Sequence, residues 1–249
     1  MKKSLVLLPV ALCALTLSLS ACGKKEDASA ASTTLAAGAA VPPPAGKVWS
    51  EIVARSPEGG YLKGNAKAAI KVVEYGSYTC PHCADFTKES AEEMDRMVDT
   101  GKVSFEFRPF VRDPLDMTVA LLAACGGTEA YYPLSHQFFA NQAAMYQAAQ
   151  SAGNAGYEKA VALPAGQRFV ALAQLTGLVD FAKQRGIPES KARQCLADGK
   201  ASTALVAGVQ HANDSYTITG TPTIIINGKV AENVLTWPDL RSKLKGAGL

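Results

Sequence analysis

The chain has 249 residues, 48% of them hydrophobic and 19% charged, with a formal net charge of +3. That is the profile of one folded domain, or of one domain carrying an insertion, and not of a disordered or fibrous chain. Basic and acidic residues nearly balance and no basic stripe with interleaved aromatics occurs, so nothing supports nucleic acid as a partner.

Met1-Lys2-Lys3 is a basic start, and residues 4–19 form an apolar stretch shorter than the ~20 residues a spanning helix needs. It closes on Leu19-Ser20-Ala21-Cys22, which resembles the bacterial lipoprotein signal. That resemblance implies removal of residues 1–21 and acylation of Cys22 as the new N-terminus. Loss of Lys2 and Lys3 would lower the net charge from +3 to about +1. An ordinary signal peptide, or an uncleaved anchor, with Cys22 incidental is the alternative. Export in either form places the remaining cysteines where disulfides persist. Residues 22–47, rich in Ala, Ser, Thr, Gly and Pro, read as a flexible linker too plain to be a dimerisation module.

The folded part is expected over residues 48–249. Trp49–Val53 fits an edge strand or a helical turn, and glycines at 59, 60 and 64 punctuate a loop. Ala69–Tyr75 is an apolar run that reads as a buried strand. From Cys80 to Val98, Cys83, Phe86, Met94, Met97 and Val98 fall at helical spacing opposite a charged face, and Gly101 is placed to end that helix. Val103–Arg108 alternates with period two as a strand does. Residues 114–215 lack a convincing strand, and prolines and glycines divide them into about five helices. Thr223–Ile226 is β-branched, Asn227-Gly228 signals a two-residue hairpin, and Trp237 opens a last helix capped by Thr236 or Trp237. The fold class is therefore α/β, an open frame interrupted by an all-helical insertion at about 114–215.

Thr79-Cys80-Pro81-His82-Cys83 carries the chemistry. Two cysteines separated by two residues, directly after a strand, are what a dithiol/disulfide centre requires. Cys80 would open a helix, where free N–H groups and the dipole favour a thiolate, and Pro81 suits the first helical position. Cys80 is the candidate nucleophile and Cys83 the partner that completes exchange. His82 could stabilise the thiolate, or be an uncoupled surface histidine. A metal is not expected: His136 and His211 are isolated and no second pair of cysteines completes a tetrahedral set. Cys125 and Cys195 remain, and an even leftover pair in an oxidising compartment is most simply a structural disulfide, with two buried thiols as the alternative. Tyr131, Tyr132, Phe138, Phe139 and Tyr146 read as core of the helical block, with an exposed subset forming an apolar groove for unfolded polypeptide beside the cysteines as the alternative.

Glu74, the CPHC motif, the helical block and Gly220-Thr221-Pro222-Thr223 ahead of a strand together resemble the DsbA family of thioredoxin-fold oxidoreductases, over about residues 61–249. The resemblance implies a thioredoxin-like fold and a buried acid at Glu74 that moves a proton for the redox pair. A solvent-facing carboxylate is the competing placement. It also implies a cis Thr221–Pro222 bond facing the cysteines and pairing with substrate, where a plain turn is the competing account. Thr221 departs from the apolar residue of the best-known oxidase, and its hydroxyl could bond the Cys80 sulfur and retune it.

The expectation is a lipid-anchored monomer of the cell envelope, facing the periplasm. It would introduce disulfides into thiol-bearing exported polypeptides and be reoxidised by a membrane partner, with no organic cofactor or metal. A reductase or isomerase, and a non-enzymatic binding or chaperone lipoprotein with a structural CPHC bond, stay open as alternatives.

Overall fold

Burial of Glu74, and with it the chemistry of the site, follows from how the central strand is covered. The computed structural model describes residues 36–249. The signal segment, Cys22 and the first part of the linker lie outside the described residues.

A six-stranded sheet runs in the order β1-β2-β4-β3-β5-β6, with β1 Val53–Arg55, β2 Tyr61–Gly64, β3 Ile70–Gly76, β4 Val103–Pro109, β5 Thr223–Ile226 and β6 Lys229–Val230. Only β3 and β4 pair in parallel, joined by the crossover helix α1 (Pro81–Asp99). One face presents Ile70, Val72, Phe105, Phe107 and Ile224 to α1 and to α10 (Trp237–Gly246), forming the main core. Glu74 has the same parity as Ile70 and Val72, so the pleat turns its carboxylate inward beneath α1. On the other face Val73, Tyr75 and Ile225 pack against Ala212 and Tyr216 of α9 (Gly199–Tyr216).

Between β4 and β5 the chain forms eight helices where the sequence pattern suggests about five. They are α2 (Pro114–Cys125), α3 (Tyr131–Ala140), α4 (Gln142–Ser151), α5 (Gly153–Val161), α6 (Ala165–Leu175), α7 (Leu178–Lys183), α8 (Glu189–Leu196) and α9. The excess arises where helices abut with a single residue between them, as at Asn141 and Ala152, and no proline marks the joint. Trp49–Glu51 is a 3-10 turn and β1 follows it, so both alternatives for that stretch occur in succession. Tyr61–Gly64, expected as loop, is a strand that bridges β1 and β4.

The ends of the other elements follow local chemistry. Gly101 sits at φ 70° just past α1, and Asn227 and Gly228 both take positive φ in the β5–β6 hairpin. Thr236 and Asp239 form a reciprocal capping box at the start of α10. The linker expected to run free to residue 47 is pinned from Ala37 onward. Ala37 N donates to Ala247 O (2.9 Å), and Val41 N donates to Thr100 O (3.1 Å).

Candidate active site

β3 ends at Gly76, and Ser77, Tyr78 and Thr79 carry the chain to Cys80, the N-cap of α1, with Pro81 at the first helical position. Cys80 is 4% exposed and Cys83, one turn inward, is fully buried. Both are free thiols. The Thr221–Pro222 bond is cis, and the Cys80 sulfur lies 3.1 Å from the Thr221 carbonyl oxygen, to which the protonated thiol donates. The Thr221 hydroxyl is buried without a partner in that state. Once the sulfur loses its proton, the carbonyl contact has no donor and the hydroxyl can take its place.

The two thiols are driven apart. Cys80 is lowered to about 5, chiefly because the Cys83 thiol donates to its sulfur. Burial opposes this, while the Thr221 side chain, the Cys83 backbone N–H and the positive charge of Arg112 add to it. Burial first, and the hydrogen bond given to Cys80 second, push Cys83 well above 9.0. Glu74 is 1% exposed, and its Oε1 has no hydrogen-bond partner. Its pKa is raised to about 8, by burial first and then by the charge of Cys80. A protonated carboxyl therefore sits beneath a thiolate and a buried thiol at neutral pH.

His82 is exposed on the first turn of α1. A positive charge that lowers Cys80 comes from Arg112, a residue the motif does not contain. Arg112 Nε donates to Ser77 Oγ (2.9 Å) and Nη2 donates to Thr79 Oγ1 (3.3 Å). It belongs to a clamp built by the helical block. Asp116, 1% exposed on α2, accepts from Ser77 Oγ (2.5 Å) and the Tyr78 N–H (2.8 Å). Thr79 Oγ1 donates to Asp113 (2.6 Å), which also caps α2. On α4, Gln142 Nε2 donates to the carbonyls of Tyr78 and Cys80 (2.8 and 3.0 Å), and Tyr146 Oη donates to that of Thr79 (2.6 Å). No sequence signal singles these out except the Asp-Pro start of α2.

The expected core aromatics Tyr131, Tyr132, Phe138 and Phe139 are buried, whereas Tyr146 is half exposed beside the redox loop. Cys125 and Cys195 are bonded, 5.8 Å apart at Cα, and tie α2 to α8. Among the described residues, no group of three His, Cys, Asp or Glu side chains converges as a metal site would need.

A sequence model of the thioredoxin family matches residues 56–246. The chain belongs to the thioredoxin family. The α/β thioredoxin-like class expected from the sequence is thereby established. A protein-disulfide isomerase from Novosphingobium aromaticivorans superposes with a TM-score of 0.72 at 33% identity, over 75% of this chain and 96% of that one. The fold is shared with α-DsbA1 of Wolbachia pipientis, at a TM-score of 0.58 and 23% identity, over 75% of this chain and 90% of that one. A provisionally named protein-disulfide oxidoreductase of Rickettsia bellii is 27% identical over 184 residues, 74% of this chain and 62% of the relative. Its counterpart in Rickettsia prowazekii is 28% identical over 171 residues, 68% of this chain and 55% of the relative. This thioredoxin-family chain thus spans somewhat over half the length of the curated relatives it matches.

Proposed function

We propose that this protein is a thiol–disulfide oxidoreductase that introduces disulfides into exported polypeptides through Cys80 and Cys83. In the oxidised enzyme a substrate thiolate attacks Cys80 Sγ and the Cys80–Cys83 bond breaks. Cys83 leaves as a thiolate and takes the proton held by Glu74. A second substrate thiolate then attacks the substrate sulfur of the mixed disulfide. Substrate departs oxidised, and Cys80 departs as a thiolate. A low-pKa sulfur is the better leaving group and stabilises the reduced enzyme, so electrons flow toward it. The opposed shifts of Cys80 and Cys83 are the observation that carries this direction. Thr221-Pro222, with its carbonyl at the Cys80 sulfur, offers the edge along which an extended substrate would lie.

A reductase or isomerase is the second reading. The buried, unpartnered Thr221 hydroxyl beside the sulfur favours it, as does the isomerase name of the Novosphingobium relative. Titration of the Cys80/Cys83 pair against glutathione separates them. We expect a potential near about −120 mV, as strong oxidants of this fold have. A value near about −250 mV would move the protein to the reductases, and one at about −300 mV or below would mark a structural bond and end the enzyme reading.

The compartment follows the same reading. Attachment through an acylated Cys22, with the domain facing the periplasm and a membrane partner reoxidising the pair, is supported by Leu19-Ser20-Ala21-Cys22 and by the bonded Cys125–Cys195.

A further inference from the structure

Two cavities share a wall near Glu74, which lines the inner one only. The inner one, of about 10 Å³, has room for about one water and is lined by Glu74, Lys63, Ser90, Ser135 and His136 among others. The outer one, of about 440 Å³, opens between α1 and the α3–α4 pair. Thr87, Ala91, His136 and Phe139 line both. Of these four, Thr87 and His136 can each accept and donate a hydrogen bond, and only the half-buried imidazole carries the two functions on separate atoms, so that one ring nitrogen can face each cavity.

The carboxyl needs such a passage. Glu74 is 1% exposed and its Oε1 has no partner within the protein. The route through the redox pair is closed at the moment it would be used, because Cys83 is fully buried and Cys80 is covered by substrate in the mixed disulfide. We infer that His136 gates the proton path by which Glu74 exchanges with solvent, through the inner cavity to the groove between α1 and α3–α4. When Cys83 leaves, the Glu74 proton passes to its sulfur, and one proton enters from solvent past His136 to restore the carboxyl. Reoxidation runs the same path outward. The groups around the imidazole are the Lys63–Asp95 ion pair, the Tyr132 ring and Glu74, with Asp85 and Lys88 on the outer groove. Burial and the Lys63 charge lower His136 to about 4, so it stays neutral across the working range.

This inference rests on the proton role given to Glu74 in the proposed exchange, and its test needs no substrate. A pH jump on the reduced protein, followed by the infrared carboxyl band of Glu74, reads the exchange directly. We expect His136→Phe to slow the relaxation about tenfold or more. His136→Gln, which keeps a polar group at the gate, should restore most of the rate. The redox potential should be the same in all three proteins, because a proton path changes rates and not end points. His136→Leu serves the same arm should the phenyl ring prevent folding. Wild-type relaxation in the apolar variant would overturn the gate, and so would equal slowing in His136→Phe and His136→Gln. Absence of thiol exchange in the wild-type protein would overturn the functional reading instead, and leave the relaxation result to stand by itself.

Discussion

At the scale of single residues, the site works by inequality. Cys80 takes hydrogen bonds and feels Arg112, while Cys83 gives its hydrogen bond away in the core. This has a consequence for stability. The Cys80 thiol has a pKa of about 5 when folded against an ordinary 9.0, so between those values the unfolded chain holds a proton that the native state has released. Stability of the reduced protein therefore gains from this group as pH rises from about 5 to about 9, and loses that gain as pH falls through about 5. The oxidised protein has no such thiol. Glu74 acts oppositely in the reduced form: raised from 4.5 to about 8, it stabilises fully below 4.5 and loses that contribution as pH rises through 8. Urea unfolding of the two redox forms should show the reduced form gaining on the oxidised one from about pH 5 to about pH 8. Parallel curves would mean that the Cys80 shift is absent. For Arg112→Met, we expect the Cys80 pKa to rise by roughly one unit or less, a screened surface charge being involved, and by more than for His82→Ala. Thiolate absorbance against pH measures both, and a larger effect at His82 would return the role to the imidazole. The motif made Cys80, Cys83, Glu74 and Thr221-Pro222 legible because each is a local pattern. Arg112, Asp116, Gln142 and Tyr146 reach the redox loop from 33 to 67 positions further along the chain, and no spacing rule joins them to it.

At the scale of elements, the helical block serves as the mount for the redox loop. α2 and α4 together satisfy the polar groups of residues 77–80, which would otherwise be buried without partners. The Cys125–Cys195 bond fixes α2 to α8 across a 70-residue separation. Replacing both cysteines by alanine should cost about 2–4 kcal/mol in denaturant unfolding, since a loop of that length gains most from closure. Thiol exchange should survive that change yet vanish in Cys80→Ser. Equal loss of exchange in the two would show the second pair to be part of the chemistry. Strand β2 escaped sequence reading because Lys63 breaks its apolar pattern, and Lys63 is buried with its ammonium paired to Asp95 on α1 and seated over the Tyr132 ring. α2 hid its helical period for another reason: ten of its twelve residues are buried, so no polar face remains to mark it. The long amphipathic α1 and the Asn227-Gly228 hairpin were readable because each carries its own signal.

At the scale of the molecule, the sheet order, the parallel β3–β4 pair and the covering by α1 and α10 place the redox pair at one end of the fold. The sequence motif before Cys22 can be checked by intact mass of the protein from membranes. We expect a diacylglyceryl-modified Cys22 at the N-terminus, and an unmodified N-terminus at any other residue would remove the anchor. The pinned segment at Ala37–Val41 then takes on a directional meaning. Ala37 meets Ala247 at the end of α10, and Val41 meets Thr100 just past the end of α1. Cys80 begins that 19-residue helix, about 28 Å from its far end at 1.5 Å per residue. The described chain therefore enters the domain at the end of α1 opposite Cys80, so that a tether attached through it, as proposed, would leave the redox pair at the far pole.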